Sequence, residues 1–188
     1  MLLESEIIDY KENKQKIEHW VTLKGEYRYE TIINFLKEKS IDCTWNNVTC
    51  YIKYDKRILI NSFKYIVFLE EFFKSALYNF NKKINVRNLE FSKALSQYLS
   101  LENKVEFDNM NIKLLSIKKE SLIAFRNSVV HNKILLNKTF KNETLEQILK
   151  IFIQILPDSY KKGFIEDINS CSKNITDNLW HISLNNEN

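Results

Sequence analysis

Two glycines, Gly25 and Gly163, and one proline, Pro157, are the only strong punctuation in a chain of 188 residues. Hairpins and tight turns draw on residues that accept left-handed backbone or arrive with φ already fixed, and a multi-stranded sheet needs them repeatedly. A chain this poor in both is restricted to long elements joined by few turns. The expectation is an all-α fold. Such helices need an interior to share, and 44% of the residues are hydrophobic, including 12 Phe and 9 Tyr. That fills the core of one domain of this length and is far from the composition of a disordered chain.

Apolar spacing divides the chain further. Residues 4–24 read as an amphipathic helix with Ile7, Ile8, Ile17, Trp20, Val21 and Leu23 on its stripe, stopped by Gly25. A second helix covers about residues 27–39. Residues 40–53 set β-branched and aromatic side chains beside turn-formers, so a short strand and an irregular loop are both open. From Asp55 to Phe80 the sequence is apolar on most faces of a helix, as suits a central element around which others pack. Further helices are expected at about 88–101, 113–131, 142–156 and 158–180, with a connector over 102–112. Neither a repeat nor a linker divides the chain, which reads as one domain over residues 1–182 with a polar tail at 183–188.

Charge and cysteine content exclude several classes of function. With 28 basic and 24 acidic residues the formal charge is +4, which permits contact with a polyanion without demanding it. No run of Lys and Arg marks a nucleic-acid-binding arm. Cys43, Cys50 and Cys171 share no zinc-binding spacing with His19, His131 and His181, and free thiols suit a reducing compartment. The N-terminus turns acidic at Glu4 and Glu6 without an apolar signal core, and Ile66-Val67-Phe68-Leu69 runs straight into Glu70-Glu71. A cytoplasmic protein without a membrane segment is expected.

Most catalytic templates are missing, among them a glycine-rich phosphate loop, His-Glu-x-x-His, paired cysteines and a nucleophile elbow. What remains is Arg126-Asn127-Ser128-Val129-Val130-His131, late in an apolar helix. Burying an unpaired guanidinium is costly, so Arg126 and His131 should reach a cleft or a subunit interface. The pair suits RNA cleavage. An imidazole, which titrates near neutrality, exchanges protons with a ribose 2′-hydroxyl or a leaving 5′-oxygen, and a guanidinium grips the phosphate between them. Five positions on an ideal helix mean about 140° of rotation, so Arg126 and His131 face different ways, whereas Asn127 and His131 share a face. Either the helix breaks between them or a second copy of the helix completes the site. Glu70 and Lys74, four apart, read as a plain helix ion pair and, as a lesser alternative, as accessories that orient Arg126.

Arg-Asn followed by His131 late in an all-α chain resembles the motif of the HEPN superfamily, an arginine and a histidine separated by four to six residues with a polar residue after the arginine. Tyr51-Ile52-Lys53-Tyr54-Asp55-Lys56-Arg57-Ile58-Leu59, and Asn132-Lys133-Ile134-Leu135-Leu136-Asn137 after the histidine, are similar to the corresponding stretches of Abi-like members. The resemblance covers about residues 51–156. It departs from the nucleotidyltransferase-partnered toxins, because Asn132-Lys133 stands where they carry a residue and a tyrosine, and the tyrosine- and glycine-rich N-terminal signature of the best-known Abi-like group is absent.

The resemblance implies an up-and-down helical bundle, here with extra N-terminal helices, and an endoribonuclease needing neither metal nor cofactor. Arg126, His131 and Asn127 would be its catalytic residues and Lys133 an RNA contact. It implies a homodimer that pairs two motifs, 2′,3′-cyclic phosphate products, and a place in phage defence or a toxin–antitoxin system with an antitoxin protein or structured RNA as restraint. A non-catalytic module of the same shape, binding RNA or protein, is the alternative.

Overall fold

The computed structural model describes residues 2–102, 104, 107–176 and 179–185. The fold is all-α, 69% helical, and the one β feature among the described residues is an isolated bridge between Phe140 and Glu143. In chain order the helices are α1 (Leu2–Glu6), α2 (Tyr10–Lys24), α3 (Glu26–Glu38), α4 (Trp45–Phe80), α5 (Phe91–Ser100), α6 (Ile112–Ile117), α7 (Lys119–Val130), α8 (Leu145–Ile155) and α9 (Asp158–Asn169), followed by a 3-10 turn at Ser170–Ser172. Among the described residues no helix is long and apolar enough to cross a membrane.

The axis is α4, whose 36 residues extend about 54 Å at the usual helical rise. Helices α2, α3, α5, α7 and α9 all pack against it. It begins at Trp45, not at Asp55, so the uncertain segment 40–53 resolves mostly into helix. Trp45, Val48, Tyr51 and Ile52 fall at helical spacing and are each at most 8% exposed, so burial outweighs their local β preference. The new N-terminus is well capped. The Thr44 hydroxyl accepts the Asn47 N–H at 3.2 Å, and the Asp9 carboxylate accepts the Trp45 N–H at 2.7 Å. Burial along α4 is less even than its sequence suggests, for Ile60, Phe63 and Phe80 are exposed and Phe68 is half-buried, stacked on Tyr160.

An aromatic ladder joins the helices behind the motif. Tyr65, Phe164, Phe152, Phe125 and Phe140 follow one another at centroid distances of 4.9, 5.2, 5.9 and 5.2 Å. Gly163 makes room for it, since a Cβ there would stand 3.2 Å from the Tyr65 hydroxyl. Phe125, fully buried in this ladder, fixes the roll of α7 and so sets where its neighbour Arg126 points.

Two expected helices end differently. The helix expected over 113–131 breaks at Lys118 into α6 and α7, where Lys118 and Ser121 both hydrogen-bond the buried Glu143 carboxylate. The last helix stops at Asn169, not near residue 180. The chain beyond the 3-10 turn lies as a strap, with Ile175, Ile182 and Leu184 buried. Side chains satisfy its backbone in place of helical bonds: Tyr51 donates to the Trp180 carbonyl, Tyr54 accepts the Ile182 N–H, and the Asn169 amide bonds both ways with Leu184. The expected polar tail therefore shortens, because Leu184 belongs to the core; residues 186–188 lie outside the described residues.

After α7 the chain turns back over α4 through one buried carboxylate. Asp55, 1% exposed, accepts the N–H groups of Leu135 and Leu136 on the same oxygen, at 2.7 and 2.8 Å. Burial pushes its carboxyl up to about 6 from an ordinary 3.8, against the opposing pull of those two N–H groups. A carboxyl whose folded value is raised stabilises the fold fully below its unfolded value and loses that contribution as pH climbs through the folded one. Between about pH 3 and pH 7, most steeply from about pH 4 to pH 6, the wild type should lose about 3 kcal/mol relative to Asp55→Asn. Urea midpoints of the two proteins across this window check it; parallel pH profiles would contradict it.

Candidate active site

Helix α7 buries Ser121, Leu122, Phe125, Ser128 and Val129, which leaves Arg126 at the edge of the interface and Asn127 and Val130 exposed. The helix is unbroken through the motif and is stopped immediately after it. The His131 N–H still reaches the Asn127 carbonyl at 3.1 Å. Asn132 then swings to φ +52, its N–H bonding the Val129 carbonyl at 3.1 Å while Lys133 N–H bonds that of Ser128 at 2.9 Å. This is the paired hydrogen-bond stop that needs a left-handed residue, and asparagine tolerates that conformation better than most. His131 is thus fixed as the last residue before the turn, with its side chain exposed.

Arg126 is held by a carboxylate from α4. Its Nη2 donates to Glu70 Oε2 at 3.0 Å, and Lys74 Nζ donates to Glu70 Oε1 at 2.8 Å. The guanidinium lies 5.6 Å over the Phe91 ring, and its side chain is 21% exposed. Burial pushes the Glu70 carboxyl up, but hydrogen bonds from Lys74 and Arg126 outweigh it and hold the group below the usual carboxylate range. Two cations thus share one carboxylate, and positive charge is left over. The Nη1 edge reaches only Asn127 Oδ1, at a long 3.3 Å, while Nε is buried without a partner. An incoming phosphate oxygen could replace the Asn127 contact at little cost.

The structure brings Glu70, Lys74, Arg126 and Asn127 together. It does not bring His131 to Arg126 within one chain. Because α7 continues to Val130, the two side chains keep the roughly 140° separation of a regular helix. The alternative of a break between them is thereby removed. Lys56 Nζ reaches Asn132 Oδ1 at 2.7 Å, so α7 runs antiparallel to α4 with contacts at both ends of the motif. Lys56, Phe63 and Glu70, each two helical turns apart, form one line on α4, and exposed Phe63 lies midway beside the motif.

Lys133 is exposed just past the helix stop and lines a cavity of about 530 Å³ with Arg28 and Lys138. Burial, then the charge of Lys133, hold the Lys138 ammonium below its ordinary value. Sequence reasoning missed the residues that fix the stop: Asn132 itself, Lys56, and Arg28, whose Nη2 meets the Asn132 carbonyl at 3.3 Å. A His-Asn pair ending an apolar helix was a usable signal for the first. Nothing in the sequence links Arg28 to Asn132 across the intervening helices. His19 packs edge-on to Trp20, and His181 Nδ1 lies 3.0 Å from the Leu179 carbonyl; neither approaches the motif.

Glu70→Ala should destabilise the protein by about 1–3 kcal/mol, because it leaves the partly buried Arg126 without its acceptor. Glu70→Gln, which keeps one acceptor, should cost clearly less. Chemical denaturation of both variants checks this, and equal losses would show that the carboxylate does not hold Arg126. Against known proteins, no family model, curated protein or solved structure matches the chain.

Proposed function

We propose that this protein is an endoribonuclease of the HEPN type, in which His131 moves the proton and Arg126 grips the phosphate. The observation that carries the reading is the arrangement at the end of α7. A guanidinium held on one edge by Glu70, with its other edge lightly occupied, lies five residues before an exposed imidazole locked at a helix stop. In the reaction an imidazole takes the proton of a ribose 2′-hydroxyl, whose oxygen attacks the adjacent phosphorus. The bond from phosphorus to the 5′-oxygen breaks, that oxygen takes a proton from an imidazolium, and a 2′,3′-cyclic phosphate is left. Arg126 offsets the charge growing on the phosphoryl oxygens. The carboxylate at the motif, Glu70, is already taken by two cations, and among the described residues no three His, Cys, Asp or Glu side chains converge. The chemistry assigned here runs on proton transfer and charge neutralisation.

Two copies would complete the site. Within one chain Arg126 and His131 diverge, and exposed apolar residues lie on α4 between Lys56 and Glu70, namely Ile60 and Phe63, and at the end of α7, Val130. An isologous pairing of this face would bury them and set each Arg126 toward the other motif. In this reading α4, α5, α7, α8 and α9 form the HEPN bundle and α1–α3 are additions. The protein acts in the cytoplasm as an RNA-cleaving effector in phage defence or a toxin–antitoxin pair, restrained by an antitoxin protein or a structured RNA.

His131→Ala should lower the cleavage rate by about 10²–10⁴-fold while leaving the melting temperature close to wild type. Arg126→Lys should also be severely impaired, since an ammonium cannot make the two-pronged grip. Cleavage should persist in EDTA and give cyclic phosphate ends. Wild-type rates in His131→Ala would refute the assignment and leave a binding module of the same shape. Phe63→Glu should convert a dimer into an inactive monomer by light scattering; a wild type that is monomeric and fully active would overturn the composite site.

A further inference from the structure

The chain carries a formal charge of only +4, yet five of its basic residues line one cavity. A cavity of about 540 Å³ lies where the α2–α3 corner meets the first half of α4. Five of its lining residues are Lys24, Arg28, Lys53, Lys56 and Arg57, and Asn132 closes it. No carboxylate lines it, and among the described residues none of the five is ion-paired. Their hydrogen bonds go instead to neutral acceptors: Arg28 to the Asn132 carbonyl, Lys56 to its side chain, Arg57 to the Cys171 carbonyl. Elsewhere on the surface lysines commonly find a Glu or Asp one turn away, as Lys14 does with Glu18 and Lys150 with Glu146. Gly25 builds the corner. Its φ of +84 is open to few side chains, and it turns α2 into α3 so that Lys24 and Arg28, one on each helix, face the same space.

The cavity continues in both directions. Through Lys24 and Lys53 it meets a smaller one bordered by Trp20, which is 42% exposed with Lys24 Nζ 4.6 Å from its ring centroid. Through Arg28 and Asn132 it meets the cavity lined by Lys133 and Lys138. Asn132 is the residue after His131, so this basic trough passes the end of α7. We infer that the trough is the seat of a single-stranded RNA, its phosphodiester backbone running over Lys24, Lys53 and Lys56 past Asn132 toward the motif, with a base stacked on Trp20. Separated cations along an open channel with an aromatic plane at one end suit a flexible polyanion better than one compact phosphate. The choice of RNA among polyanions rests on the ribonuclease reading.

Binding of a fluorescein-labelled oligouridine to the full-length His131→Ala protein, followed by anisotropy across a range of NaCl, tests this without consuming the probe. Adding Lys24→Ala and Lys53→Ala should weaken binding about tenfold at low salt and reduce the slope of log K against log salt by about 0.7 per lysine. Trp20→Ala should weaken binding by about fivefold or more with the slope unchanged, since stacking releases no counterions. Lys14→Ala, on the same helix but outside the trough, should leave both quantities as they were. Oligouridine binding indifferent to Lys24 and Lys53, or displaced by inorganic phosphate or ATP at micromolar concentration, would overturn the inference. If the trough variants behave as expected and the protein with His131 intact does not cleave the probe, the trough stands and the ribonuclease reading falls. If it cleaves while trough variants bind like wild type, the trough falls alone.

Discussion

The side of the molecule that carries the motif depends on one oxygen of Asp55. By accepting two successive backbone N–H groups, it turns the chain back after α7 and lets Leu135 and Leu136 sink into the core. A buried carboxylate is an expensive way to make a turn, and its second oxygen finds no hydrogen bond. Yet the N–H groups of Leu135 and Leu136 lie outside any helix or strand, and this one oxygen is the acceptor for both. Asn132 can be held by Lys56 and Arg28 because the chain behind it is already anchored. The chain just after His131 is thus anchored by a residue of the central helix.

Charge is distributed by the same logic. Around Arg126 two cations share a single acid, and in the trough five cations lie together with no ion pair among the described residues. Such an imbalance is sustained only where water or an incoming anion can solvate it. The fold places both unbalanced regions on the same side of α4, at the two ends of the contact with α7. That helix therefore acts as a ruler between the Arg126 guanidinium and a cationic channel.

How much of this was legible follows the range of the forces involved. Scarcity of glycine and proline gave the all-helical class, since it concerns the chain's own turns. The spacing within α7, and the pairing of Glu70 with Lys74, are local to one helix and could be read directly. The start of α4 was misjudged because Trp45, Val48, Tyr51 and Ile52 favour strands in isolation, and only the surfaces they meet in α3 and the strap reverse that preference. The C-terminal strap was misread as helix and tail because tyrosines more than a hundred positions away take over its hydrogen bonds. The trough escaped notice for the same reason. Its lysines and arginines form no run in sequence and gather only when the corner at Gly25 folds onto α4.

The strap also sets the order in which the molecule can be finished. Tyr51 and Tyr54 lie on the central helix, and both find the partners of their buried hydroxyls in residues 180–182, while Asn169 waits for Leu184. Until those residues emerge from the ribosome, the flank of α4 stays uncovered and two phenolic groups lack their partners. A partly synthesised chain thus contains the whole Arg126–His131 segment before it owns a closed core. The face that carries Arg126 and His131 is therefore complete only after translation has passed the last residue of the strap, and the activity proposed for it would arrive no earlier.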